Sequence, residues 1–81
     1  MWAWLNYRWM ATDPRTVFGK RVRELRLKRK LSQEKLAELA DLHRNYVGVV
    51  ERGLQNPSLL IIVKLAHALE VRPAKLIEPI T

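Results

Sequence analysis

From Thr16 onward the apolar residues of this chain recur at helical spacing, and nowhere do they alternate in the period-two pattern of a strand. Helix is then the only regular structure open to it. Phe18, Val22 and Leu25 form the apolar stripe of a first helix, expected over 17–30 with Thr16 as its N-cap. Ser32 is a good N-cap for a second helix, Glu34 suits its first turn, and Leu36, Leu39 and Ala40 make its buried face. A third helix is expected over 44–52, stopped by Gly53. After a loop, Pro57-Ser58 opens a fourth, with Leu59, Ile62, Val63, Ala66 and Leu69 as its core stripe. Pro73 suits the first turn of a short fifth helix over 73–78. The fold class is therefore all-α, a compact five-helix bundle.

A chain of 81 residues makes one small domain that is marginal alone, so a second copy is the simplest added stabiliser. Without cysteine there is neither a disulfide framework nor a cysteine metal site, which fits a reducing compartment. Lys and Arg number 15 against 8 acids, a formal net charge of +7. Such a surplus favours a polyanionic partner, either nucleic acid or an anionic membrane surface. No apolar run approaches the roughly 18 residues of a membrane span. The opening "MWAWLNYRWM" lacks the charged leader and long apolar core of a signal peptide, so the expected location is cytoplasmic. Residues 1–15 read as an N-terminal extension that holds Trp2, Trp4 and Trp9 and closes at a turn, Asp13-Pro14. Met10 is an alternative start, and residues 16–81 form the domain proper.

The stretch "SQEKLAELADLHRNYVGVVERG", 32–53, sets two short helices back to back across Asp41-Leu42-His43. On a helical wheel Arg44, Asn45, Gly48, Val49 and Arg52 fall on one arc, and Tyr46, Val47, Val50 and Glu51 on the other. The second helix supports the third, and the third presents a chosen face outward. A helix fits the DNA major groove, where Arg donates two bonds to guanine, Asn bonds adenine bidentately and a small apolar group such as Val49 meets a thymine methyl. Gly48 removes bulk where the helix presses on the duplex, at a cost of about 1 kcal/mol against Ala. The competing interpretation is a plain solvated helix face.

Several motifs tip that balance. Arg26 before "LSQ", then "SQEKLA", the "ERG" that ends the third helix, and "NPS…KLAHAL" together resemble the Xre family of phage-repressor and Cro type, over about 18–77. The form "LHRNYVGVVERG" is also similar to controller proteins of restriction-modification systems. The resemblance implies a lambda-repressor-like domain with a central helix-turn-helix. It implies that Arg44, Asn45 and Val49 face base edges and that His43 touches a base or a phosphate. Gln33 would bond a phosphate beside the start of the second helix, and Arg52 and Asn56 would reach the backbone on the far side. Arg26 and Glu51 would pair, tying the first helix to the third. Gln33 could instead be a surface side chain, and Asn56 a turn residue before Pro57. Two positions depart from the pattern. Asp41 stands where the family has Gly, and tolerates the left-handed conformation better than most residues. His43 stands where Ser or Thr is usual and is a poorer N-cap.

Between Lys20 and Lys30 there are seven basic residues and one acid. Arg21 and Lys28 are expected on a solvated face, with Arg23 or Lys30 adding diffuse attraction to phosphates. His43 and His67 lie in no acid-histidine cluster with metal spacing, and no nucleophile, phosphate loop or carboxylate pair points to an enzyme; no metal or cofactor is implied. Leu60, Ile61, Ile77 and Ile80 exceed what one core stripe uses and are expected at the interface of a two-fold homodimer, unless the N-terminal tryptophans cover them. The expected function is sequence-specific binding of double-stranded DNA on a near-palindromic operator, regulating transcription on the nucleoid and controlling a restriction-modification operon. The rivals are an antitoxin with the same domain and a toxin partner, a pure protein-interaction module, and a membrane-surface arm built on the tryptophans.

Overall fold

The structure, a computed structural model, describes residues 13–80. Five helices follow one another: α1 Pro14–Lys28, α2 Gln33–Leu39, α3 Tyr46–Glu51, α4 Leu59–Leu69 and α5 Pro73–Ile77. The residues before Asp13, with the three tryptophans and Met10, lie outside the described residues.

Asp13 opens α1, not Thr16. Its carboxylate accepts from the Arg15 backbone N–H at 2.9 Å, and Pro14 occupies the first turn. Proline lacks only an N–H that has no helical partner there, so Asp13-Pro14 starts the helix instead of closing a turn. The Arg15 guanidinium and then its backbone N–H hold the Asp13 carboxyl down to about 2. Phe18, Val22 and Leu25 are buried as expected. At Gly19 a Cβ would stand 2.3 Å from the Val50 carbonyl oxygen, so only glycine lets α1 approach the end of α3 this closely. Arg21 is not on a solvated face. It donates from Nε to the Lys75 carbonyl at 2.9 Å and from Nη1 to Glu24 at 2.7 Å, fastening α5 to α1.

Ser32 caps α2, its hydroxyl oxygen accepting from Lys35 N at 2.9 Å. The buried side of α2 is Leu36 and Ala37, continued by Ala40, while Leu39 is 50% exposed. α2 packs against both α3 and α4, with Leu36 and Ala37 inward and Leu39 turned outward. Asp41 then takes φ 56, the left-handed conformation expected of it. Leu42 N donates back to the Ala37 carbonyl at 2.9 Å, closing the turn between α2 and α3.

α3 begins at Tyr46, two residues later than its apolar pattern suggests. Arg44 and Asn45 form the turn leading into it, and His43 organises that turn. Its carbonyl accepts from Tyr46 N at 2.9 Å and its Nδ1 from Asn45 N at 3.1 Å. Val47 and Val50 enter the core, and half-buried Tyr46 has its phenol pushed up by burial.

Ser58 caps α4 through Ile61 N at 3.2 Å. Its core stripe is Leu65, Ala66 and Leu69 with partly buried Ile62. Leu59 and Val63, expected inside, are 76% and 40% exposed. Leu76 of α5 completes the core. Among the described residues no helix is long and apolar enough to cross a membrane.

Candidate nucleic-acid interface

The start of α3 and the turn before it stand out from the bundle. His43, Arg44 and Asn45 are exposed, and Val49 is half-buried one turn further on. Two bonds to His43 hold the backbone of the turn, and Val49 is carried by α3. Arg44 Nη1 lies 3.9 Å from Glu34 Oε2, both side chains about three-quarters exposed. That contact is too wet and too long to hold the arginine. Arg52, exposed, follows the last turn of α3, and Asn56 is exposed in the loop to α4.

Beneath this surface lies a buried polar cluster. Arg26 Nε and Nη2 donate to Glu51 Oε2 and Oε1 at 2.7 and 3.0 Å, with side-chain exposures of 7% and 3%. Arg26 Nη1 donates to the Leu31 carbonyl at 2.8 Å. The pair ties α1 and the α1–α2 turn to the end of α3. Gln33 joins it, donating from Nε2 to Glu51 Oε1 at 3.0 Å. Among the described residues no buried side-chain nitrogen or oxygen lacks a partner. In this state, then, Gln33 is a half-buried member of the cluster.

Gly48 sits differently from its place on the wheel. It is buried, covered by the side chains of Gln33 and Arg52. Periodicity could not reveal this, because the cover comes partly from another helix.

A second surface is apolar. Leu59, Leu60 and Val63 are exposed along one side of α4, and Ile77 is 39% exposed. Ile61 and Ile80, expected at an interface with Leu60 and Ile77, are partly buried against the chain's own core. Among the described residues no three His, Cys, Asp or Glu side chains group closely enough to hold a metal ion.

A short supporting helix, a tight turn and an outward-facing second helix, all pinned to α1 by a buried ion pair, form one recurrent unit. The helix-turn-helix family model matches residues 22–76, from the middle of α1 to the end of α5. The chain belongs to the helix-turn-helix family. Within it, the chain is 47% identical over 70 residues to control protein C.BamHI of Bacillus amyloliquefaciens, covering 85% of this chain and 86% of that one. It is 42% identical over 65 residues to control protein C.SmaI of Serratia marcescens, covering 80% and 77%. Among solved structures it is similar to the restriction-modification controller protein C.AhdI of Aeromonas hydrophila. That match has a TM-score of 0.75 and 55% identity, covering 76% of this chain and 94% of the other. This helix-turn-helix protein is a DNA-binding transcription regulator of the Xre type, similar to restriction-modification controllers.

Proposed function

We propose that the chain reads a near-palindromic operator in double-stranded DNA as a homodimer, and thereby controls a restriction-modification operon from the cytoplasmic nucleoid. The observation that carries this reading is the exposure of Arg44, Asn45 and half-buried Val49 on a turn and helix whose opposite side is locked into the core. Arg44 suits guanine, Asn45 adenine and Val49 a thymine methyl. His43 spends Nδ1 on the Asn45 N–H, which leaves Nε2 for a base or a phosphate. Gln33 and Arg52, which close over Gly48, and Asn56, exposed in the loop to α4, would supply contacts to the sugar-phosphate backbone, which set register without reading sequence. The Arg26–Glu51 pair keeps α3 at a fixed height over α1.

The second copy docks through the exposed side of α4, with Leu60 flanked by Leu59 and Val63, and with exposed Ile77 of α5. Ile61 and Ile80 support that surface from within. Two recognition helices would then lie roughly 34 Å apart, one turn of DNA. The relatives named control proteins motivate the assignment to a restriction-modification operon.

Selection of bound duplexes from a random library at near-physiological salt tests the reading. The expected result is enrichment of a motif with two-fold symmetry. Binding at low salt with no enriched motif would overturn it, since only the phosphate backbone would then be recognised.

A further inference from the structure

Gly48 lies in the middle of α3, where glycine is the least favourable residue after proline. A Cβ built on it would stand 3.2 Å from Gln33 Oε1 and 3.4 Å from Arg52 Nη1. Both side chains therefore close over the same point. A side chain at position 48 would oblige Gln33 to give way where it lies across α3. From there its Nε2 reaches Glu51 at 3.0 Å, and Glu51 is itself held by two bonds from Arg26. The amide is thereby set in one of its two orientations. Its oxygen faces Gly48, and one Nε2 hydrogen is spent on Glu51 while the other has no partner among the described residues.

We infer that Gly48 is a positioning residue for the DNA backbone, and that Gln33 and Arg52 act over it as one anion clamp instead of as two separate contacts. The inference rests on the proposed reading in which these two side chains meet phosphates. The spare amide hydrogen and the guanidinium serve the same phosphate group. A hydrogen bond to an ionised acceptor is stronger than a neutral one. An amide already held by Glu51 also has little rotamer freedom left to lose on binding.

The test compares Gln33→Ala, Gly48→Leu and the double variant on random-sequence duplex, with nitrogen–proton correlation spectra and melting curves of each free protein. Gly48→Leu should move the Gln33 side-chain amide resonances and weaken binding about tenfold, as loss of one hydrogen bond to a charged group does. Gln33→Ala should weaken it similarly, and the double variant should bind no worse than Gln33→Ala alone. Full affinity in Gly48→Leu, or an unmoved Gln33 amide, would overturn the inference and leave the reading of Gln33 intact. A double variant far weaker than Gln33→Ala would overturn it too, because the added side chain would then be meeting the duplex itself or displacing Arg52 from a separate contact. Undiminished binding by Gln33→Ala would sink both the inference and that residue's assignment. Should Gly48→Leu fail to fold, Gly48→Ala takes its place. Its Cβ obliges Gln33 to give by a few tenths of an ångström, and the amide resonances and the affinity are read for the same outcomes.

Discussion

Burying a carboxylate with a guanidinium strips both of water, and their attraction offsets that cost only when the remaining lone pairs and hydrogens also find partners. Glu51 and Arg26 meet the condition, through two mutual bonds, the Leu31 carbonyl and the Gln33 amide. Glu51→Ala leaves the Arg26 charge stranded beneath the surface. We expect a loss of about 3–5 kcal/mol in stability, read by urea or thermal unfolding. An unchanged melting temperature would show that the pair does not hold α1 to α3. Arg44 lies at the other extreme, with a side chain 73% exposed and no firm partner. Arg44→Ala should leave stability alone and cost about 1–3 kcal/mol on the selected operator but little on random duplex, measured by fluorescence anisotropy. Equal loss on both would remove it from base reading.

Each long element is started by a short oxygen-bearing side chain: Asp13 for α1, Ser58 for α4. The Asp13 carboxyl sits at about 2 in the folded chain, below its ordinary 3.8. A depressed folded value means that its contribution is complete above the ordinary carboxylate range and is lost as pH falls through about 2. Helicity of α1 should therefore fray between pH values of roughly 4 and 2, and Asp13→Asn should remove that phase from a circular-dichroism acid titration. Identical titrations would exclude Asp13 as the cap. Caps and stripes were the legible part of this chain. Ser32 and Ser58 each bond an N–H three residues on, a purely local event, and Phe18, Val22 and Leu25 define one stripe. Thr16 misled because Asp13-Pro14 offers a competing start nearby, and Pro14 fits only a first turn. Leu59 and Val63 misled because α4 is apolar around much of its circumference, so periodicity cannot choose its inner side; the neighbouring helices do. The contact of Gln33 with Glu51 over Gly48 joins α2 to α3, and no spacing within either helix encodes it.

Among the described residues a single small core is buried, and Leu59, Leu60 and Val63 are exposed along α4. For a monomer that is an aggregation liability, and in the proposed two-fold assembly it would be the contact. Leu60→Glu should yield monomer across micromolar loadings in sedimentation velocity, while the unaltered chain gives dimer. It should also weaken operator binding far more than binding to an isolated half-site. Monomer for the unaltered chain would remove the assembly from the account. Three joints in the bundle, Lys30, Asp41 and Glu70, are turned by non-glycine residues at φ of 56–57. An L-residue held there carries strain, about 1–2 kcal/mol for an ordinary side chain and less for aspartate. A glycine at any of them would release part of it, so the scaffold holds untapped stability at places that read no base. On the proposed reading, exchanges at Arg44, Asn45 or Val49 that loosen the bundle while respelling the operator would be tolerated once a joint has changed. The capacity of this regulator to acquire a new target is thus lodged in its turns as much as in its recognition helix.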